Sequence, residues 1–157
     1  MHAQPQIRLP EETCTMVLHT IQTARTRIPG HDEDAVLALI QEGLILHAWN
    51  IGLGVAQDIR ILPASLDHYE RTRGSSPDPL TADQALLSIH TALGGKPFTT
   101  GRKLKLLFNC SSSHITNLIN AGRIDLLPDT QWGKGPHGSP TITWLSIAKF
   151  ISTSQIA

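Results

Sequence analysis

Apolar residues in this chain recur mainly at intervals of three and four, the spacing of short amphipathic helices. The clearest example lies in residues 100–122, where two apolar triplets with helical spacing flank a tight turn. The triplets are Leu104, Leu107 and Phe108, followed by Ile115, Leu118 and Ile119. Thr100 and Ser111 precede the two segments and are suited to be their N-caps. The pattern therefore predicts two helices packed across a tight turn, the geometry of a helix-turn-helix.

The rest of the chain also shows mostly helical patterns, interrupted by short strand signals. Further helices are predicted over residues 11–25, 32–43, 65–73, 81–93 and 145–152. Two hairpins are predicted, one within residues 44–62, where Ile59, Arg60 and Ile61 alternate, and one within residues 124–144. The predicted fold class is mostly α with small β-hairpins.

The two halves of the sequence resemble each other. Residues 80–91 match residues 9–20 without a gap, and residues 39–45 match residues 118–124 in the same order. A predicted hairpin and a closing helix follow in both halves. We therefore predict two related tandem units, residues 1–74 and 81–157, joined by a proline- and serine-rich linker at residues 75–80.

Length and composition limit the class of protein. A chain of 157 residues suffices for one ordinary domain or two small ones. No apolar run approaches the roughly 18 residues that a membrane-spanning helix needs, and the first ten residues lack the pattern of a signal peptide. We therefore expect a cytoplasmic protein without a membrane partner. Cys14 and Cys110 lie far apart, which argues against a zinc site or a disulfide framework.

The net charge of zero conceals an uneven distribution. Through Gly94, six arginines accompany eleven acidic residues, which gives a net charge of −5. From Gly95 onward, seven cationic residues accompany two acidic residues, which gives +5. Only the second half has the charge expected of a surface that meets phosphates.

The order of elements in the second half resembles a known family. Two helices across a turn, the ending Leu-Ile-x-x-Gly-x-Ile at residues 118–124, a hairpin and a closing helix resemble the winged helix-turn-helix of phage excisionases and the mercury-regulator superfamily. The resemblance covers residues 98–152 well and the first half more loosely. It implies that Ser111 begins a recognition helix for the major groove and that residues 124–144 form the wing. It also implies that Arg123 and Lys134 approach phosphate or the minor groove.

The predicted recognition helix carries polar, uncharged side chains opposite its apolar stripe. Asn can pair with adenine through two hydrogen bonds, and Ser and Thr suit base edges or phosphates. We therefore predict a non-enzymatic protein that binds double-stranded DNA, as a transcription regulator or a recombination accessory factor. The candidate DNA-binding residues are Arg102, Lys103, Ser112, Ser113, His114, Thr116, Asn117, Asn120, Arg123 and Lys134. The alternative is a protein-interaction module that kept the winged-helix fold without nucleic-acid binding.

The remaining motifs yield no prediction of catalysis. The histidines are scattered, so no catalytic residue, metal site or cofactor is predicted. The glycine-rich loop at residues 133–138 lacks phosphate-loop spacing and is either a wing or a plain hairpin loop. In the first half, Asp32, Glu33 and Asp34 occupy the region equivalent to the recognition helix and would repel phosphates. That half is expected to pack on the second, bind a protein partner or mediate self-association.

Overall fold

The computed structural model describes residues 15–127 and 140–156. Within these ranges the protein is mostly helical and contains two small antiparallel sheets, which confirms the predicted class at this level. In chain order the elements are β1 (His19–Thr20), α1 (Ile21–Arg27), α2 (Glu33–Gln41), β2 (Ala48–Asn50), β3 (Ile59–Ile61), α3 (Pro63–Thr72), α4 (Ala82–Ala92), β4 (Phe98–Thr100), α5 (Gly101–Phe108), α6 (Ser112–Asn120), β5 (Thr141–Thr143) and α7 (Trp144–Ser154).

The first half contains two capped helices and a three-stranded sheet. The Thr20 hydroxyl caps α1 and the Asp32 carboxylate caps α2, each by accepting a hydrogen bond from a first-turn amide. Strands β2 and β3 form the predicted hairpin, with Trp49 opposite Arg60, and β1 pairs with the other edge of β3. Helix α3 then closes this half, as the predicted helix over residues 65–73, and buries Leu66 and Tyr69.

The second half has a related order of elements. Strand β5 pairs antiparallel with β4, with Thr99 opposite Ile142. Leu126 forms a bridge to Ile142 on the other side of β5, which agrees with the predicted hairpin at the end nearest the helices. The predicted wing loop, including Lys134 and Trp132, lies outside the described residues. Trp144 begins α7, and its ring stacks on the His90 ring of α4 at 4.2 Å between centroids.

The predicted helix over residues 11–25 is correct for residues 21–25 and wrong for residues 15–20. Residues 15–18 are not helical, and β1 follows because His19 pairs with Ile61 and Thr20 with Arg60. The helix begins only after Thr20, whose side chain provides the cap. The gapless match of residues 9–20 with 80–91 therefore does not mark equivalent structure, since His19 lies in a strand and His90 in a helix.

The second sequence match does mark equivalent structure. Gly43 and Gly122 both adopt positive φ, 80° and 74°, at the ends of α2 and α6. After them, the Leu44 amide donates to the Leu39 carbonyl and the Arg123 amide to the Leu118 carbonyl, both at 2.9 Å. Each half thus repeats strand, helix, turn, helix, strand pairing and closing helix. In the described residues, α4 has no counterpart in the first half.

The two halves share a hydrophobic core. One cluster lies in the first half around Val36, Ile40 and Leu66. The larger cluster joins the second-half helices to residues of the first half, namely Leu18, Trp49, Ile51 and Leu62. The segment after α7 also contacts the first half. Gln155 forms a β-bridge with Trp49, and the Ile156 amide donates to the Ala48 carbonyl.

The connector between the halves is held by polar contacts. Residues 75–80 contain neither helix nor strand, as expected of a linker. The Ser65 hydroxyl donates to the Asp78 carboxylate at 2.6 Å, and the His68 and His47 rings lie at hydrogen-bonding distance from the Ser76 and Leu80 carbonyls. The connector is therefore packed against the first half. None of the described helices is long and apolar enough to cross a membrane.

Candidate nucleic-acid interface

Helix α5 is amphipathic and provides the base on which α6 rests. The Thr100 hydroxyl accepts from the Lys103 amide and caps its N-terminus. Its inward side buries Leu104, Leu107 and Phe108, and the Phe108 ring lies 5.9 Å from that of Phe150 in α7. These contacts anchor α5 in the larger core cluster and fix the surface that α6 packs against.

The turn between α5 and α6 contains a left-handed residue. Asn109 has φ 51° and ψ 52°, a conformation that Asn tolerates better than most residues, and it ends α5. Cys110 follows and is half-buried. Burial raises the pKa of its thiol to about 11, because the thiolate would lose solvation, and this outweighs the opposing effect of nearby Arg60.

Helix α6 separates its apolar and polar side chains cleanly. The Ser111 hydroxyl accepts from the His114 amide and caps the helix, as predicted. Ile115 and Leu118 are buried, whereas Ser112, Ser113, Asn117 and Asn120 are exposed. Thr116 is half-buried, and its hydroxyl donates to the Ser112 carbonyl at 3.1 Å. Four of the predicted site residues therefore share one exposed, uncharged polar surface. We call this surface the α6 face, and it consists of Ser112, Ser113, Asn117 and Asn120.

His114 has a different environment from the α6 face. Its Nε2 lies 2.6 Å from the Ile51 carbonyl oxygen in the loop after β2. The ring is half-buried between α6 and the first half of the chain. This contact gives His114 a structural role in holding the helix against its neighbour.

Cationic side chains occupy the first turn of α5 and the end of α6. Arg102 is exposed, and Lys103 is half-buried with its ammonium beside the turn at Gly94, where a Cβ would lie 3.5 Å from Nζ. Both lie near the positive end of the α5 dipole, where cations are intrinsically unfavourable and increase the attraction for anions. Arg123 is exposed after α6, with its guanidinium 5.1 Å from the centre of the Phe150 ring. The predicted contact Lys134 lies outside the described residues.

The equivalent surface of the first half is acidic, whereas the α6 face is uncharged. Glu33 and Asp34 begin α2 at the positions that Ser112 and Ser113 hold in α6. They line a groove of about 410 Å³ that also includes Asp58 and Arg60. Arg60 adds little positive charge there, because it is only 6% exposed and is engaged by the Asp58 carboxylate.

The described residues contain no cluster of the side chains that commonly bind metal ions. Within residues 15–127 and 140–156, histidine, cysteine, aspartate and glutamate side chains form no group of three that could hold a metal ion. Ion pairs join Arg27 of α1 to Asp67 and Glu70 of α3. These ion pairs stabilise packing within the first half.

Sequence reasoning missed the contacts that the first half makes with the turn before α6. Arg60 was assigned to an alternating strand, which implies a polar, outward side chain, yet all three residues of β3 are buried. Its guanidinium instead donates hydrogen bonds to two backbone carbonyls at the end of α5, those of Phe108 and Asn109. A charged residue between two isoleucines in a short strand was the available signal, but its partners lie 48 and 49 residues away in sequence.

Comparison with protein-family models, curated proteins and solved structures found no match for this chain. The family resemblance noted above therefore depends on the residues and the order of elements alone.

Proposed function

We propose that the chain binds double-stranded DNA without catalysis, and that α6 is the recognition helix of a winged helix-turn-helix in the second half. The observation that carries this proposal is the α6 face, which is exposed, polar and uncharged on a helix whose opposite side is buried. A major groove about 12 Å wide admits one helix with such a face. The same contact would serve a transcription regulator or a recombination accessory factor.

The side chains of the α6 face suit base reading. Asn117 and Asn120 lie one turn apart and are both exposed, so both amides can reach base edges from one side of the helix. An Asn amide donates to and accepts from adenine in the major groove. Ser112 and Ser113 lie in the first helical turn, where hydroxyls and free backbone amides suit a phosphate.

The surrounding charges support the same orientation. Arg102 in the first turn of α5 and Arg123 just after α6 are exposed and are suited to phosphate contacts. The first half is a poor surface for DNA, because Glu33 and Asp34 replace the serines of α6. We therefore place the DNA contact in the second half, and we treat the first half as a separate, acidic surface that is not in contact with DNA.

A matched pair of alanine variants tests base reading by α6. Asn120 and Gln41 are both exposed amide residues at the ends of equivalent helices. A duplex selected from a randomised pool by the native chain should bind Asn120→Ala about tenfold to a hundredfold more weakly, since a good bidentate contact discriminates by about 1–3 kcal/mol. Gln41→Ala should bind the same duplex as the native chain does.

Two outcomes of these binding measurements would contradict base reading by α6. If the native chain selects no duplex, or if Asn120→Ala binds as tightly as Gln41→Ala, α6 does not read bases. Such a result would favour the alternative of a protein-interaction module on the same fold.

A further inference from the structure

Arg60 lies in the centre of the first-half sheet and is nearly inaccessible to solvent. It belongs to β3, the middle strand of the order β1-β3-β2, and is 6% exposed. A guanidinium in such a place is unfavourable unless its donors are satisfied. The identity of its acceptors therefore shows what this side chain does in the fold.

The acceptors include the last carbonyls of α5 in the second half. Arg60 Nε donates to the Phe108 carbonyl at 2.6 Å, and Nη2 donates to the Asn109 carbonyl at 3.0 Å. The remaining nitrogen, Nη1, donates to the Ile59 carbonyl at 3.0 Å and to the Asp58 carboxylate. Carbonyls at a helix C-terminus have no following helical amide and carry the negative end of the dipole. Arg60 thus provides a cationic cap for a helix in the other half of the chain.

Further bonds from the first half reach the same turn. The Leu18 amide donates to the Leu107 carbonyl at 2.9 Å, and the Asn109 side-chain amide donates to the Leu18 carbonyl at 3.4 Å. On the far side of the turn, His114 Nε2 contacts the Ile51 carbonyl oxygen. The segment between α5 and α6 contains only residues 109–111, so contacts on both sides of it set the direction of α6.

We propose that Arg60 is a positioning residue for the recognition helix α6, and that the acidic first half is therefore an integral part of the DNA-binding unit. This inference rests on the proposed function of α6. The first half need not contact DNA, since it acts by capping α5 and fixing the turn.

Three variants of the 157-residue chain distinguish a positioning role of Arg60 from an effect of its positive charge alone. Arg60→Gln removes the cap, and Arg60→Lys keeps the charge but can donate to the two carbonyls less well than the planar fork. Arg25→Gln is the matched control, because it removes the same charge from an exposed residue in the last turn of α1. All three are compared with the native chain at one salt concentration.

Hydrogen exchange without DNA provides a readout that is independent of binding. The hydrogen-bonded amides of Asn109, Cys110 and His114 should exchange about tenfold faster or more in Arg60→Gln. Exchange in Arg60→Lys should lie between that variant and the native chain, and exchange in Arg25→Gln should be unchanged. Affinity for the selected duplex should fall in the same order. If Arg60→Gln does not fold, Arg60→Lys decides the matter by the same two measurements.

The inference is overturned if both Arg60 variants match Arg25→Gln in exchange of the turn or in affinity for the duplex. Failure of the native chain to bind any duplex would instead overturn the proposed function. The exchange data would then still decide whether Arg60 holds the turn.

Discussion

Arg60 and Arg102 show how differently one type of side chain contributes to the charge of this molecule. Arg102 is exposed in the first turn of α5, whereas the buried Arg60 donates to backbone carbonyls and to Asp58. A count of formal charges treats them alike, although a buried guanidinium cannot contact a phosphate.

The N-caps Thr100 and Ser111 were predictable because a cap bonds to an amide three residues away. The Arg60 contacts were not predictable, because they depend on how the halves pack.

The reactivity of Cys110 is a prediction at the residue scale. Burial raises the pKa of its thiol from 9.0 to about 11, which lowers the thiolate fraction at pH 8 about a hundredfold. In a Cys14→Ser variant, alkylation of folded Cys110 by iodoacetamide at pH 8 should be slower than in urea by about this factor. The folded rate should rise about tenfold per pH unit toward pH 10. Equal rates in the folded and unfolded chain would contradict the burial of this thiol.

The helices were largely predictable from local pattern, and the strands only in part. Helices α2 through α7 match predicted segments, because each has an apolar face at helical spacing and most have a recognisable cap. The hairpin of β2 and β3 was predicted, whereas β1 and β4 were missed, since each pairs with a strand about 40 residues away in sequence. Pairing of β1 with β3 overrode the apparent helical pattern at His19 and Thr20, whereas residues 21–25 are helical as predicted. Long-range pairing therefore determined where the first helix begins.

The halves form one packed body at the scale of the whole molecule. Leu18, Trp49 and Leu62 of the first half lie in the same core cluster as Leu107 and Phe150 of the second. The repeated order of elements was partly visible in the sequence through residues 39–45 and 118–124. The shared core was not visible, because nothing in a local pattern shows which apolar faces meet across a connector.

A core substitution in the first half should therefore destabilise both halves. Ile40 is 1% exposed in the first-half cluster, and Ile40→Ala should cost about 2–5 kcal/mol of unfolding free energy. Calorimetry should show a single transition at a lower temperature, and exchange protection in α7 should fall with it. Leu87→Ala, at a residue 63% exposed on α4, is the control and should change little. A second-half transition that stays at the native temperature would show that the halves unfold independently.

The proposed contact between the second half and duplex DNA combines phosphate contacts with the α6 face. It can be tested by titration of the native chain with a mixed-sequence duplex at 50 and 200 mM salt. Contact with about four phosphates should weaken binding about a hundredfold over that range, through release of condensed counterions. Absence of binding at 50 mM salt, or an affinity that does not change with salt, would contradict the account.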